Sequence, residues 1–148
     1  MSADNKKIVR RLFNDFLSKG NLAVADQIIA PNHIHHDPAT PDFGLGPEGQ
    51  KKTISLYRNA FPDLQFKVNE MIVAGNFVTT RYTSTGTHKA EFNGIAPTNK
   101  TLSVEGIAIN RLSRGKIVET WVVWDALGLK QQLGQVPAME KANAQVAE

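Results

Sequence analysis

The stretch Lys100–Asp125, KTLSVEGIAINRLSRGKIVETWVVWD, decides the fold. Two runs rich in Val, Ile, Leu, Thr and Trp, Lys100 to Leu112 and Lys116 to Asp125, flank Ser113-Arg114-Gly115. A short glycine-bearing turn between two such runs marks a β-hairpin. The same pattern repeats upstream. Gln65 to Ala74 reads as a strand, Gly75-Asn76 as its turn, and Phe77 to His88 as the next strand, with Thr, Val and Tyr favouring the extended form. A loop around Asn93-Gly94 and Ala96-Pro97 joins the two hairpins.

The first half carries helical periodicity. Ile8, Val9, Leu12, Phe13, Phe16 and Leu17 recur on one face, which predicts a helix from Asp4 to Lys19 that stops at Gly20. Asn21 can cap a second helix, Leu22 to Ala30, ended by Pro31. A short extended piece, His33-Ile34-His35-His36, precedes a loop marked by Pro38, Pro41, Gly44 and Gly46. Pro47 suits the first turn of a third helix that runs to Phe61, before Pro62. A short helix, Ala126 to Leu133, closes the domain at Gly134, and Gln135 to Glu148 reads as a loose helix or disordered tail. Helices followed by consecutive strands define an α+β domain over residues 1–134. Three helices on one face of a curved sheet leave a pocket between the layers, where small molecules bind.

Composition narrows the function classes. The 148 residues contain no cysteine, which removes disulfides, zinc–thiolate centres and thiol nucleophiles. The apolar share of 41% and charged share of 21% suit a globular chain. The net charge of +3 comes from basic residues spread along the chain, so no nucleic-acid partner is expected. Nothing resembles a membrane span or a signal peptide, which makes the cytoplasm the expected compartment. Walker, GxGxxG and GxSxG sequences are missing, which weighs against nucleotide chemistry and serine hydrolysis.

The polar residues of the last strand come next. Strict alternation puts Ile117, Glu119, Trp121, Val123 and Asp125 on one face and Val118, Thr120, Val122 and Trp124 on the other. On that reading Glu119, Trp121 and Asp125 face the pocket, and the set Val118, Val122 and Trp124 covers the outer face, where a homodimer forms. Asp125 also suits the N-cap of the final helix, bonding a backbone N–H near Gly128. Glu119 needs a basic partner, and Arg58, in the stripe Ile54, Tyr57, Arg58 and Phe61, is the expected one. Phe61 and Tyr82 are expected to line the pocket. His33 and His35 share one face of their segment and His36 takes the other; with Asp37 they invite a metal reading, which the divergence of neighbouring side chains weakens. His88, at the end of the Thr-rich strand, is placed at the pocket mouth.

Taken in order, several motifs resemble the SnoaL-like polyketide cyclases. They are His36-Asp37-Pro38, Gly46-Pro47-Glu48-Gly49, Ala60-Phe61-Pro62-Asp63-Leu64, Gly86-Thr87-His88, Ala96-Pro97-Thr98, Gly115-Lys116-Ile117-Val118-Glu119, Trp121, Asp125 and Gln132-Leu133-Gly134. Asn99 stands where Pro-Thr-Gly would be more typical. The resemblance implies an NTF2-like cone of curved sheet closed by helices. It implies ring closure of a polyketide-like substrate by intramolecular aldol condensation, without metal or organic cofactor. The general acid/base it implies falls on Asp125, with His36 or His88 donating to the enolate oxygen and Arg58, Glu119, Trp121, Phe61 and Tyr82 holding substrate. The alternatives are an isomerase or epoxide hydrolase on the same fold, the latter with an Asp–Arg–Asp arrangement, and a non-catalytic carrier of a small apolar ligand.

Overall fold

The structure is a computed structural model and describes residues 2–137. The tail expected at 135–148 lies, from residue 138 on, outside the described residues. Helix α1 (Ser2–Arg11) continues as a π-helical segment (Leu12–Ser18). Helix α2 (Ala23–Ile28), strand β1 (Ile29–His36) and helix α3 (Gly46–Ala60) follow. Strands β2 (Gln65–Ala74), β3 (Phe77–Thr87), β4 (Thr101–Ser113) and β5 (Lys116–Trp124) lead to helix α4 (Ala126–Gln132). Second-helix residues Ile29 and Ala30 belong instead to β1, because the chain turns extended at Ile29 ahead of Pro31.

The sheet has the order β1-β5-β4-β3-β2. β1 runs parallel to β5, and all other neighbours are antiparallel. It is a curved, unclosed mixed sheet. Its concave face meets the helices. Val9, Phe13 and Phe16 from the first helical run, Ile28 from α2 and Ile54 from α3 are buried against Val78, Tyr82, Leu102, Ala108, Leu112 and Ile117 of the sheet. Burial of these apolar side chains on both layers is the main drive to this architecture. Among the described residues no helix is long and apolar enough to cross a membrane.

Alternation fails on β5. Leu112 pairs with Ile117 but Arg111 pairs with Glu119, so Val118 is an extra residue, a β-bulge. The bulge reverses the faces beyond it. Ile117 points inward as expected, but then Thr120, Val122 and Trp124 also point inward, while Glu119, Trp121 and Val123 point outward. The outer face assigned to Val118, Val122 and Trp124 is thus corrected: Val122 and Trp124 line the interior. The actual outer face carries exposed Ile72, Phe77, Ile107, Ile109, Trp121 and Val123.

Arg58 does not enter the pocket. Its Nη1 donates to the carbonyls of Leu17 (3.1 Å), Ser18 (2.9 Å) and Leu64 (2.9 Å), and its Nη2 to that of Pro62 (3.1 Å). A guanidinium can serve several carbonyls at a helix end, which otherwise lack donors. Gly20, at φ +70°, leaves room for it: a Cβ there would lie 2.6 Å from Arg58 Nε. Arg58→Ala removes its hydrogen bonds to four carbonyls, of which that of Ser18 keeps Gln65 Nε2 at 3.3 Å. It is expected to lower unfolding free energy by about 2 kcal/mol in urea titrations, with Arg58→Lys recovering only part of the loss.

Candidate functional site

The helices and the concave sheet face line an open-mouthed cavity of about 140 Å³. Phe13, Phe61, Phe66, Tyr57, Tyr82 and Trp124 form much of its wall. Their rings lean on one another at centroid distances of 5.2 Å for Phe13–Tyr82, 5.5 Å for Phe66–Tyr82 and 5.8 Å for Tyr57–Trp124. Tyr82 reaches this position because β4 has a glycine opposite it: a Cβ on Gly106 would come within 2.4 Å of the Tyr82 hydroxyl.

The ionisable groups in the wall, among the described residues, are His33, His35, Asp37, Tyr57 and Tyr82. The first three come from β1 and the residue after it. Alternation along an extended chain turns residues 33, 35 and 37 to the same side. Asp37 Oδ2 accepts the hydroxyl of Thr40 at 2.6 Å and the indole N–H of Trp124 at 3.2 Å. Its Oδ1 accepts the backbone N–H of Ala39 at 2.9 Å. His35 Nε2 stands 3.9 Å from Asp37 Oδ2, an ion-pair distance when the imidazole is protonated. Burial works to raise the pKa of Asp37, but His35, Thr40, Ala39 and Trp124 outweigh it, so the carboxyl sits below its ordinary range and is ionised.

Thr40 spends its hydrogen on Asp37, so the hydroxyl of Tyr57 donates to Thr40 Oγ1, 2.6 Å away. Burial pushes Tyr57 up to about 12 and raises Tyr82 further, which keeps both phenols protonated as donors.

His33 is 2% exposed. Its Nε2 lies 2.8 Å from Thr120 Oγ1, and the Thr120 hydroxyl donates to Asn110 Oδ1 at 2.6 Å. With that hydrogen committed, Thr120 can only accept from His33, which places the His33 proton on Nε2. Burial first, and then positive charge on His35, lower His33 to about 4. Among the described residues no group of three or more His, Cys, Asp or Glu is arranged to hold a metal ion.

Most of the residues expected at the site lie elsewhere. Asp125 is exposed and caps α4, its Oδ1 accepting the Gly128 N–H at 2.8 Å. That is the capping alternative; the expectation that it faces the pocket is corrected, because the bulge at Val118 and the start of α4 turn this carboxylate out of the cavity wall. Glu119 and Trp121 are on the outer face because of the same bulge, and His36 is there by alternation with His33 and His35 along β1. There His36 Nε2 meets Glu119 Oε2 at 2.7 Å, the imidazole stacks on Trp121 at 5.3 Å, and Arg111 Nη2 donates to Glu119 Oε1 at 3.1 Å. The partner of Glu119 is therefore Arg111 rather than Arg58. Donation from His36, then from Arg111, holds Glu119 below its usual range. His88 is fully buried behind Phe61, its Nδ1 accepting the Thr98 N–H at 3.2 Å, and it fastens the loop to the body instead of lining the cavity. With Asp125, Glu119 and Arg58 all outside the cavity, no Asp–Arg–Asp arrangement assembles from them. Phe61 and Tyr82 do line it.

His35 and Asp37 were the residues missed as a pair. The shared face of His33 and His35, continued by one more period of two, leads to Asp37.

A concave apolar pocket in a helix-covered, curved α+β sheet, with a few ionisable groups on one strand, defines a small-molecule site of NTF2-like type. The family model of the SnoaL-like polyketide cyclases matches residues 7–133, and the chain belongs to that family. No curated protein matches the sequence. Among solved structures, a candidate polyketide cyclase from Acidithiobacillus ferrooxidans is 30% identical, with a TM-score of 0.82 over 91% of this chain and 97% of that one. IdmH, a candidate polyketide cyclase from Streptomyces antibioticus, is 27% identical, with a TM-score of 0.78 over 88% of this chain and 98% of that one. AclR from Streptomyces galilaeus, described as a candidate hydroxylase, is 27% identical, with a TM-score of 0.82 over 95% of this chain and 87% of that one. The family suggests an enzymatic role and a small-molecule ligand.

The burial of neutral His33 makes stability depend on pH. Unfolded, its imidazole takes a proton near 6.5; folded, only near 4. The unfolded chain therefore binds the extra proton in between, so stability is full above about 6.5, falls as pH drops toward about 4, and levels off below. Urea midpoints measured across that window are expected to decline in the wild type and to flatten in His33→Phe.

Proposed function

We propose that the chain closes a ring in a polyketide-like substrate by intramolecular aldol condensation, with His35 as the general acid/base and Asp37 as its counter-charge. The observation that carries this reading is the His35–Asp37 pair in the wall of an apolar cavity, 3.9 Å apart. A carbon flanked by two carbonyls loses its proton to His35, leaving an enolate and an imidazolium. Ionised Asp37 stabilises the imidazolium, whose charge would otherwise be costly in an apolar site. The enolate carbon attacks the second carbonyl of the same molecule, forming the C–C bond and an alkoxide. His35 returns its proton to that alkoxide, which balances the step. The Tyr82 hydroxyl, held protonated by burial, donates to the enolate oxygen. The aromatic wall folds the two ends of the substrate together, supplying proximity. No cofactor enters this scheme.

Deuterium entry at the central carbon of 1,3-dicarbonyl compounds in D₂O, followed by proton NMR, tests the reading without the natural substrate. His35→Ala should lose exchange by about a hundredfold or more, Asp37→Asn by a smaller factor, and Asp125→Asn should retain the wild-type rate. Exchange in His35→Ala at the wild-type rate would refute the assignment. An absence of exchange in the wild type across a panel of β-keto esters would favour the non-catalytic carrier.

A second copy of the chain is proposed to cover the outer sheet face. Ile72, Phe77, Ile107, Ile109, Trp121 and Val123 stand exposed there as one apolar surface, which water disfavours. Sedimentation should give a dimer at micromolar concentration for the wild type and a monomer for Ile107→Lys with Val123→Lys; a monomeric wild type would overturn it.

A further inference from the structure

Gln50 has no part in that mechanism, yet it faces the same cavity. Helix α3 turns Gln50, Thr53, Ile54 and Tyr57 toward the interior, the spacing of one helical stripe. An apolar residue is the usual occupant of such a position, whereas Gln50 brings a carboxamide and is only 8% exposed. A smaller cavity of about 30 Å³ lies beside the first, under the loop from Thr40 to Gly44. His35, Asp37, Gln50 and Thr53 line both and so stand between them. Asp37 accepts from Ala39, Thr40 and Trp124, Thr53 Oγ1 donates to the Gly49 carbonyl at 2.8 Å, and His35 Nε2 faces Asp37 at 3.9 Å. Among the described residues the Gln50 carboxamide, with its two N–H donors, has no protein partner. Unlike the sealed Nδ1 atoms of His33 and His35, its nitrogen and oxygen keep accessible surface. Such a group in an apolar wall costs free energy until water or a ligand completes it. Its position is fixed by the turn ahead of it. A Cβ on Gly46 would lie 2.5 Å from the Pro31 carbonyl oxygen and one on Gly49 would collide with that of Gly44, so β1 and the loop hold the start of α3 closely.

We propose that the Gln50 carboxamide donates a hydrogen bond to a carbonyl oxygen of the ligand. Resting on the cyclase reading, that carbonyl is the one attacked when the ring closes. The corner Gln50 shares with His35 suits it. Ionised Asp37 and Thr53, whose hydrogen is committed to Gly49, offer only acceptors there, so Gln50 is the uncommitted neutral donor that an oxygen meets. Tyr82 does not line the smaller cavity and is left to the enolate oxygen. As the enolate carbon bonds to the carbonyl carbon, the π pair of that carbonyl moves to its oxygen, and the alkoxide takes the proton that His35 carries. A donor already aimed at this oxygen gains strength as the charge grows. Gln50 therefore acts on the electrophile, as Tyr82 acts on the nucleophile. A site built to bond a polar group discriminates against an analogue lacking it, because the analogue leaves the protein's own polar group unpaired.

Acetophenone and α-methylstyrene are the probes, alike in shape and differing only by a carbonyl oxygen against a methylene group. Their dissociation constants are measured by proton–nitrogen NMR titration of the wild type, Gln50→Met and Gln50→Leu. The ratio of ketone affinity to alkene affinity should fall about fivefold or more in Gln50→Met, which keeps the side-chain length and loses the donor. A change in cavity shape alone moves both ligands together and leaves the ratio where it was. Gln50→Leu decides the matter if Gln50→Met does not fold. A smaller fall in the folded variant overturns the proposal, and so does a wild type that binds neither probe. Deuterium exchange by the wild type tests the cyclase reading separately. Exchange with an unmoved ratio removes Gln50 alone, and a ratio that falls without exchange keeps the carbonyl site for a carrier.

Discussion

One extra residue on β5 governs which side chains meet the cavity. Val118 has no opposite number on β4, so the pleat slips by one between Ile117 and Glu119. Without the slip, Ile117 and Thr120 could not both face inward. With it, Thr120 joins His33 and Asn110, Trp124 donates to Asp37, and Val122 completes the apolar wall. The same slip turns Glu119 and Trp121 outward, where they meet His36 and Arg111 instead of substrate. The inward polar contacts of Thr120 and Trp124 and the outward placing of Glu119 and Trp121 are thus two consequences of a single irregularity.

The partner strand is irregular in the same place. β1 pairs with β5 at Ile29–Ile117 and again at Ile34–Glu119, so five steps on one strand answer two on the other. The surplus bulges out around Pro31 and Asn32, both exposed. Gly46, at the start of α3, packs on this bulge: a Cβ there would lie 2.5 Å from the Pro31 carbonyl oxygen, and its φ of +72° is one that favours glycine. The close approach of α3 brings Tyr57 over the loop after β1, where Thr40 links it to Asp37. Backbone irregularity, glycine contact and the polar corner of the cavity form one continuous arrangement.

These irregularities mark where the sequence was legible and where it was not. Strands β2 to β5 and the helices follow from periodicity and turn residues to within a residue or two, because patterning and turn chemistry act locally. Asn99, the departure from the family's Pro-Thr-Gly, has φ +58°, a left-handed conformation that asparagine tolerates. The Asp125 cap was legible for the same local reason. The facing of β5 was not, since a bulge is set by pairing with neighbours distant in sequence, and alternation counted from Ile117 misassigns every residue after it. Arg58 was misread because an apolar stripe tells which side of α3 is covered, not what a long side chain does at its edge. It reaches the carbonyls at the end of the π-helical segment instead.

The placing of two histidines side by side in an apolar cavity carries its own constraint. Two protonated imidazoles there would repel, and positive charge on His35 indeed lowers His33. His35 has the carboxylate of Asp37 at 3.9 Å, while His33 has the hydroxyl of Thr120, which offers no countercharge. The relay through Thr120 and Asn110 spends the Nε2 proton of His33 away from the cavity and leaves a neutral acceptor. The two chemically identical rings, two residues apart, therefore differ in what each one's other neighbour is: a carboxylate beside His35 and a neutral hydroxyl beside His33.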